Sequence, residues 1–384
     1  MRILIVTCGL SSEVAGISSV ILQLAKQCKQ KGHTVIVVGN TKKNPKLVEQ
    51  LILSGIRVEN INLSTSYRNL LSNLITFIKL VKQFKPDVIH THDRCSDIKS
   101  FLICKLFKIK HIITIHGIVS VWKKYANEFK FSNKFLNPLL NRIWFHVLKK
   151  VDHVVAVSEA VKYDLLKTIQ LNENKIVTIY NTVDLERFSP ISYLPSQLRK
   201  EYFPDLPNRF TLTFVGRLVN EKKPEYLILL VSELVRRGYD CQGVFVGDGP
   251  LITNLQKEVQ KAGLIDRIFF LGKRNDMPII YNISDIVLNF HEGESFGLAV
   301  AEALSCGRPV LAVAGGNIPY LIKHNFNGFL INDLDVKVAC DHIVTLIEDN
   351  KKWIAMALNA RKIAENLFGK YDFSEKYLKL YSTV

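Results

Sequence analysis

The chain has 384 residues, of which 48% are hydrophobic, and a formal net charge of +16. No segment approaches the roughly 18 apolar residues that a membrane-spanning helix needs, and the apolar run at Met1–Val6 is too short for a signal peptide. Because one hydrophobic core rarely organises more than about 300 residues, we expect a cytosolic protein of two domains.

The excess positive charge lies in the first half of the chain. Residues 1–190 hold 28 Lys and Arg against 13 Asp and Glu, whereas residues 191–384 hold 23 against 22. This bias favours an anionic partner such as a membrane surface, a phosphorylated substrate or a nucleic acid, although solubility alone would also account for it. The seven cysteines contain no C-x-x-C pair, which argues against a disulfide framework and against a structural zinc site.

The first half alternates short apolar runs with helical periodicity. Continuous apolar strands that alternate with helices are typical of a parallel sheet covered on both faces. The predicted elements are a strand over 3–6, a helix over 17–28, a strand within 32–39, an amphipathic helix over 69–84, strands within 86–92, 112–115 and 151–157, and a helix after Ser158.

The periodicity lapses around residues 184–205, where prolines cluster, and we predict an interdomain linker there. The predicted domains are therefore 1–190 and 191–368, followed by a C-terminal helix at 369–384. The second domain repeats the alternation, with strands over 210–215, 243–246, 268–271, 286–290 and 309–313 and helices over 224–237, 251–262, 278–282, 298–305 and 351–367. A last helical segment spans 372–381, and Gly369 is the predicted helix end or kink before it.

The clearest chemical motif is Gly293–Leu298, which follows a predicted strand and opens a predicted helix. Its backbone amides and the positive helix end are suited to an anion such as a sugar-linked phosphate. Glu294 would lie in the loop and could meet a sugar, while Glu302, deeper in the helix, could accept hydrogen bonds from ribose hydroxyls. Paired glutamates are also common on solvated helix faces.

Two further loops follow strands of the second domain. Val215–Pro224 places Arg217 and Lys222 at the carboxyl edge of the sheet, where open α/β folds bind ligands. Two cations there suit a diphosphate, although a solvated loop with incidental basic residues is the alternative. Val246–Pro250 is a Gly-rich turn that we interpret first as a chain reversal and second as a nucleotide contact.

In the first domain, Gly16 precedes the first predicted helix and could let the backbone approach a phosphate. The segment lacks a G-x-G-x-x-G fingerprint, which weakens a dinucleotide-cofactor interpretation. His116 ends a predicted strand, where its imidazole could bond a hydroxyl or phosphate oxygen or be structural. His90, His92 and Asp93 cluster at another strand end, but further ligands at compatible spacing are missing, so we predict no metal site.

Residues 122–150 interleave basic and aromatic side chains, including Trp122, Trp144 and Phe145. This pattern is typical of a helix on an anionic bilayer, where each basic residue contributes about 1 kcal/mol and adhesion is salt-sensitive. The alternative is an ordinary helix whose aromatic side chains face the core. We expect no nucleic-acid partner, because the sequence holds no recognised binding module.

Taken together, the motifs resemble the family 4 glycosyltransferases, retaining enzymes of the GT-B fold. The similarity runs over nearly the whole chain. The segments that carry it are Val154–Ser158, Asn181–Asp184, Gly216-Arg217 with Lys222, Gly247–Pro250, Glu294–Leu298 with Glu302, and Gly315-Gly316 with Pro319. The sequence departs from the family pattern at Ala15 and Thr182, where Gly is frequent, and at Tyr320, where Glu is frequent.

The resemblance implies two doubly wound Rossmann-like domains that face each other across a cleft, with the C-terminal helix returning to the N-terminal domain. It also implies the residues of a donor site. Arg217 and Lys222 would bind the diphosphate, and Glu302 the ribose. Glu294 and the amides of Phe296, Gly297 and Leu298 would contact the donor sugar and its phosphate. His116 would contact the sugar, Gly16 the phosphate and Arg274 the base.

We therefore expect a retaining glycosyltransferase that moves a sugar from a UDP- or GDP-sugar to a glycan or lipid-diphosphate-linked acceptor. Its expected role is bacterial surface polysaccharide synthesis, without a metal, at the inner face of the plasma membrane. Fixed cations and a helix N-terminus would stabilise the leaving oxygen, so Glu294, His116, Arg217 and Lys222 are the expected catalytic residues. No carboxylate stands out as a nucleophile, and Glu294 is given a positional and electrostatic role.

Two alternatives stay open at this point. One is another GT-B enzyme, such as a nucleotide-sugar epimerase. The other is a non-catalytic binding module that has kept the fold.

Overall fold

A computed structural model describes residues 1–8, 15–63, 70–121, 136–192, 194–369 and 373–383. The chain divides into two compact units, Met1–Thr182 with Asp372–Val384, and Val183–Tyr371. Each unit is built on one parallel β-sheet. None of the helices in these ranges is long and apolar enough to cross a membrane.

The first unit contains a seven-stranded sheet. Its strands are β1 (Arg2–Val6), β2 (Thr34–Gly39), β3 (Arg57–Asn60), β4 (Val88–Thr91), β5 (Lys110–Ile115), β6 (His153–Ala156) and β7 (Ile176–Thr178). They pair in parallel in the order β3-β2-β1-β4-β5-β6-β7. The order reverses between β1 and β4, which is where open α/β sheets form a crevice at the carboxyl ends of the strands.

Helices cover both faces of this sheet, so its central strands are buried on both sides. They are α1 (Ala15–Gln30), α2 (Pro45–Leu53), α3 (Leu70–Phe84), α4 (Arg94–Phe107), α5 (Leu136–Lys150) and α6 (Glu159–Ile169). Ser158 caps α6 by accepting a hydrogen bond from the amide of Val161, at the predicted helix start.

The C-terminal helix, Phe373–Ser382, belongs to the first unit. The hydroxyl of Tyr381 lies 2.7 Å from Nδ1 of His90, and the hydroxyl of Tyr377 lies 3.2 Å from that of Thr114. All four side chains are buried. These bonds confirm the expectation that the C-terminal helix returns to the N-terminal domain.

The second unit contains a six-stranded parallel sheet. Its strands are β8 (Phe210–Val215), β9 (Cys241–Val246), β10 (Ile268–Phe270), β11 (Ile286–Asn289), β12 (Val310–Val313) and β13 (Gly328–Ile331). Their order is β10-β9-β8-β11-β12-β13, so the sequence-based prediction of two doubly wound sheets is confirmed. Its helices are α7 (Pro195–Tyr202), α8 (Glu225–Arg236), α9 (Ile252–Lys261), α10 (Met277–Asn282), α11 (Leu298–Ser305), α12 (Ile318–Leu321), α13 (Val336–Glu348) and α14 (Asn350–Ala364).

The predicted linker is wrong in part, because it contains a helix. Pro195 occupies the first turn of α7, where a missing amide costs nothing, and the side chain of Gln197 accepts a hydrogen bond from the amide of Leu194. Arg199 in this helix is buried and pairs with Asp285 at 3.0 Å. The helix is therefore part of the second unit and does not behave as a spacer.

The division between the units falls between Thr182 and Val183, before the predicted boundary at 190. Residues that follow Val183 are tied to the second unit. Arg361 donates to the carbonyls of Leu185 and Phe188, and Phe188 is buried. A π-helical turn, Glu365–Gly369, follows α14 at the predicted kink.

Candidate functional site

Glu294 lies in the loop that joins β11 to α11, at the carboxyl edge of the second sheet. Gly297 is the N-cap residue of α11 and has a left-handed backbone (φ 87°). A Cβ there would lie 3.0 Å from a methyl of Ile318 and 3.2 Å from one of Leu321, so both space and backbone conformation favour glycine. This glycine lets the loop turn directly into the helix.

The same loop is supported from the side by Gly315 and Gly316. A side chain on Gly316 would collide with the carbonyl of Glu294, and one on Gly315 would collide with that of Glu292. The amide of Asn317 donates to the Glu294 carbonyl at 2.8 Å. The Gly-Gly motif therefore allows a close backbone approach that fixes the position of Glu294.

The side chain of Glu294 lies in a compact polar cluster. Its Oε1 forms an ion pair with Nζ of Lys222, accepts a hydrogen bond from Asn289 at 3.2 Å and lies 3.4 Å from Nδ1 of His291. Nζ of Lys222 also lies 3.4 Å from that same nitrogen. Thus the residues after β8 and β11, neighbouring strands in the sheet, meet at one point.

These partners decide the charge of Glu294. Burial by itself would raise the pKa of this carboxyl, but Lys222, together with His291, holds the pKa well below its ordinary value. Glu294 is therefore an anion throughout the physiological range, and Lys222 supplies the neutralising charge. Nε2 of His291 is buried, and no group in the described parts of the chain bonds it.

Arg217 lies in the loop after β8, but its guanidinium pairs with Glu221 at 2.9 Å and is half exposed. The Gly-rich turn after β9 supports this loop. A side chain on Gly247 would collide with the carbonyl of Gly216, and one on Gly249 with that of Leu218. Gly247 and Gly249 therefore shape the loop that carries Arg217, which agrees with their interpretation as a turn.

Glu302 lies in the second turn of α11 in a different environment. The buried hydroxyl of Tyr281 donates to its Oε2 at 2.7 Å. Burial raises the pKa of Glu302 to about 7, while the bond from Tyr281 and the charge of Arg187 oppose the rise. This carboxyl therefore titrates near neutral pH, unlike Glu294.

The remaining predicted contacts of the second unit are placed as follows. Phe296 is buried, and its ring centroid lies 6.2 Å from that of Phe368, so its side chain belongs to the core. Leu298 begins α11 and is half buried. The guanidinium of Arg274 forms two hydrogen bonds with Asp276, at 2.9 and 2.6 Å, and lies 5.1 Å from the ring of Phe203. Arg274 is thus held at the edge of the loop after β10.

In the first unit, His116 follows β5 and Gly16 is the second residue of α1. Nε2 of His116 lies 2.9 Å from Nδ1 of His92, and burial lowers the pKa of His116 to about 3. Its imidazole is therefore neutral. One of the two facing nitrogens must donate and the other accept, which couples the tautomers of the two rings.

The segment 122–150 is described only from residue 136, and residues 122–135 lie outside the described ranges. Within α5, Trp144 is buried and its indole donates to Asp97 at 2.7 Å. For Trp144, the interpretation as a membrane contact is wrong, and the alternative, an aromatic facing the core, is right.

Sequence reasoning missed three residues of this site. His291 and Asn289 contact Glu294, and Tyr281 contacts Glu302. A signal existed for His291, because it lies three residues before Glu294 at the end of a predicted strand. Tyr281 had none, since it comes from a separate helix, α10.

Comparisons with known proteins cover both units. The sequence matches Glycosyltransferase Family 4 over residues 14–187 and Glycosyl transferases group 1 over residues 199–363. Among curated proteins, it is 30% identical over 321 residues to the UDP-Gal:alpha-D-GlcNAc-diphosphoundecaprenol alpha-1,3-galactosyltransferase of Escherichia coli, covering 81% of this chain and 79% of that protein.

The chain is also 25% identical to the N-acetyl-alpha-D-glucosaminyl L-malate synthase of Bacillus anthracis, over 97% of this chain and 93% of that one. Among solved structures, HepE of Anabaena, crystallised with UDP and glucose, superposes with a TM-score of 0.84 at 21% identity, covering both chains fully. The structural likeness establishes a common fold.

Proposed function

Since the chain belongs to family 4 of the glycosyltransferases, group 1, and is an enzyme of the GT-B fold, we propose that it moves a sugar from a UDP-sugar to a lipid-diphosphate-linked glycan with retention of configuration. The observation that carries the proposal is the cluster of Lys222, His291 and Glu294 beside the N-terminus of α11. A nucleoside diphosphate is the partner whose charge and hydroxyls suit this chemistry.

Lys222 and the N-terminus of α11 would hold the diphosphate, and Arg217 would leave Glu221 to join them. The half-exposed Arg217 is free to reorient at low cost, because exposed ion pairs contribute little to stability. The buried Nε2 of His291 would gain its missing partner from a donor oxygen. These groups supply fixed positive charge where the leaving phosphate oxygen becomes negative.

Glu302 would accept hydrogen bonds from the ribose hydroxyls. Tyr281 already donates to one of its oxygens and so orients the carboxylate. Glu294 would position the sugar and balance the charge of Lys222; it would not act as a proton donor, because its pKa is held well below the ordinary value despite its burial. From the first unit, His116 and Gly16 are proposed to meet the sugar and phosphate, and Arg274 the base.

We propose that transfer needs no divalent metal, since Lys222 and Arg217 would provide the stabilising charge. Turnover that is unchanged by EDTA agrees with this proposal, and turnover that requires added Mg²⁺ or Mn²⁺ contradicts it. Retention is tested by the NMR coupling constant of the new anomeric proton. An α-linked donor should give an α-linked product, and a β-linked product would overturn the assignment.

The acceptor is inferred from the relative in Escherichia coli, whose name gives a diphosphoundecaprenol-linked GlcNAc as its acceptor. We propose a role in bacterial surface polysaccharide synthesis at the inner face of the plasma membrane, which an acceptor of this kind supports. A lipid-linked acceptor requires the enzyme to work at a membrane surface. We therefore propose that the first unit binds anionic lipid.

Three neighbouring helices of the first unit support this part of the proposal. Side chains of α3 and α4 belong to one hydrophobic cluster, and α4 is joined to α5 by the hydrogen bond that Trp144 donates to Asp97. Asp97 is their one acidic residue and it is buried. Each helix exposes two large aliphatic side chains four residues apart, between 40% and 73% exposed: Leu71 and Ile75, Leu102 and Leu106, Leu139 and Ile143. Exposed lysines and an arginine flank them: Lys79, Lys82, Lys105, Arg142, Lys149 and Lys150.

The donor proposal is tested by isothermal titration of Lys222→Ala with UDP, GDP and ADP. Lys223→Ala is a matched control, because Lys223 lies on the same turn but pairs with Glu292. We expect UDP to bind wild type and the Lys223 variant, and to bind the Lys222 variant at least tenfold more weakly. Equal affinity of the two variants would refute the site, and preference for GDP or ADP would refute the base.

The acceptor proposal is tested by transfer from a UDP-sugar to a diphosphoundecaprenol-linked sugar. An epimerase would convert the UDP-sugar without acceptor, and a binding module would do neither. For the surface, Leu102→Ser/Leu106→Ser should reduce sedimentation with phosphatidylglycerol vesicles, whereas Leu358→Ser, equally exposed in the second unit, should not. Equal binding to neutral vesicles would contradict the electrostatic explanation.

A further inference from the structure

Two cysteines lie where the strand order of the first sheet reverses. Cys8 follows β1, and Cys95 is the second residue of α4, which follows β4. β1 and β4 are hydrogen-bonded neighbours. The Sγ atoms of Cys8 and Cys95 and a carboxylate oxygen of Asp93 all lie within 4.8 Å of one another. The two thiols are therefore neighbours although 87 positions separate them in the sequence.

Asp93 fixes the backbones of both cysteines. One of its oxygens accepts from the amide of Cys8 at 2.6 Å, and the other accepts from the amides of Cys95 and Ser96 at 3.1 and 3.0 Å. Both oxygens are therefore occupied by amides, and the carboxylate serves as a clamp. To form a disulfide, the Cys8 thiol must leave the carbonyl of Leu63, to which it donates at 3.1 Å, and the two sulfurs must approach to the bonding distance of about 2 Å.

The two thiols differ in character. Interaction with the Cys8 thiol, which also donates to the carbonyl of Leu63 at 3.1 Å, lowers the pKa of Cys95 to about 7. Burial and the charge of Asp93 oppose this change, and Lys99 and Arg94 add to it. The first turn of a helix also favours a thiolate. Burial raises the pKa of Cys8 well above its ordinary value. Cys95 is the half-buried member of the pair and Cys8 the buried one.

We propose that Cys8 and Cys95 form a redox-active dithiol, in which Cys95 is oxidised by a hydroperoxide and Cys8 then closes an intramolecular disulfide. The Cys95 thiolate attacks a peroxide oxygen, the O–O bond breaks, and Cys95 becomes a sulfenic acid. The sulfur of Cys8 then displaces that hydroxyl as water. In sum, two thiols lose two hydrogens and one hydrogen peroxide becomes two waters.

The other cysteines of the chain provide internal controls, since all five are buried: Cys28, Cys104, Cys241, Cys306 and Cys340. Burial raises the pKa of Cys241 to about 11 and those of Cys306 and Cys340 to about 12. Thiols of this kind are protonated at neutral pH and react slowly. A reaction confined to Cys8 and Cys95 is therefore a specific expectation.

The first experiment treats the reduced full-length protein with hydrogen peroxide. Remaining thiols are then alkylated under denaturing conditions and the digest is examined by mass spectrometry. We expect one linked pair of peptides, containing Cys8 and Cys95, with a mass two hydrogens below the sum of the reduced peptides, and reversal by dithiothreitol. Oxidation that leaves these two unlinked, or that links another pair, would overturn the proposal.

The second experiment measures the alkylation rate of Cys95 against pH. Wild type should reach half its maximal rate near pH 7, and Cys8→Ala, which lacks the neighbouring thiol, should react roughly tenfold more slowly at that pH. Cys8→Ser should stop at a sulfenic acid that dimedone traps. A wild-type midpoint near pH 9 would refute the assignment whether or not the variants fold.

Discussion

Replacing Glu302 by Gln tests the proposed donor site through the pH dependence of stability and of UDP binding. Glutamine resembles the protonated carboxyl in shape and keeps an oxygen for the hydroxyl of Tyr281. Because 1.4 kcal/mol corresponds to one pH unit, moving the pKa from 4.5 to about 7 corresponds to about 3 kcal/mol. This is the net amount by which burial, opposed in part by Tyr281 and Arg187, disfavours the ionised form.

The sign follows from proton uptake. Between pH 4.5 and 7 the folded protein binds more protons at Glu302 than the unfolded chain does, so the free energy of unfolding falls as pH rises through this interval. The variant lacks this slope. It should match wild type near pH 4.5 and be more stable above pH 7, by roughly 6–12 °C in melting temperature for a unit of this size.

Donor binding should show the opposite preference. If ribose hydroxyls donate to ionised Glu302, wild type loses affinity as the carboxyl becomes protonated, by about tenfold between pH 8 and pH 6. The Gln variant should bind UDP weakly at both pH values. UDP itself titrates in this range, so the informative quantity is the ratio of the two dissociation constants at each pH, measured by isothermal titration.

Glu348→Gln is the matched control for both assays, because Glu348 accepts a hydrogen bond from Tyr239 at 2.6 Å on the exposed surface. It should leave the melting temperature and the UDP affinity unchanged at every pH. If the ratio of the UDP dissociation constants of Glu302→Gln and wild type is constant from pH 6 to pH 8, the reasoning is refuted.

Three further substitutions test the framework. Lys222→Met leaves Glu294 buried without its cation and should destabilise the second unit by about 3–5 kcal/mol; adding Glu294→Gln should restore the melting temperature but not UDP binding. Gly247→Ala, which collides with a backbone carbonyl at a φ of +138°, should lower the melting temperature more than Gly263→Ala, which meets open space at a φ of +67°. Tyr381→Phe removes the bond to a buried imidazole and should cost about 1–3 kcal/mol in urea unfolding.

The apolar strands were predictable because each is buried on both faces and reads as a continuous hydrophobic run, as in β1 and β12. Three short strands were missed. β3 has no buried residue, β7 has three residues, and β13 begins with glycine, so none presents such a run. The helix α7 was missed because Pro195 was interpreted as a breaker, although the first turn of a helix tolerates proline.

The place of the site was predictable, but the pairing of its side chains was not. Lys222 and Glu294 follow neighbouring strands, and parallel strands bring their carboxyl ends to the same edge. Whether Arg217 or Lys222 pairs with Glu294 depends on side-chain directions that spacing does not encode. In the structure Arg217 turns to Glu221, on its own loop, and Lys222 reaches Glu294.

The two glutamates are eight residues apart on one loop and helix, yet their surroundings separate their pKa values. Burial acts on both carboxyls, but Glu294 has a cation in contact and stays ionised, whereas Glu302 has a neutral phenol and titrates near pH 7. A permanently charged Glu294 can hold a sugar and a lysine in place at any pH. Tyr281 and Arg187 stabilise ionised Glu302 only in part, and a ligand that donates hydrogen bonds to the carboxylate would stabilise it further. Nucleotide binding should therefore lower the pKa of Glu302 and leave that of Glu294 unchanged, which carbon-13 titration of labelled glutamates with and without UDP would detect.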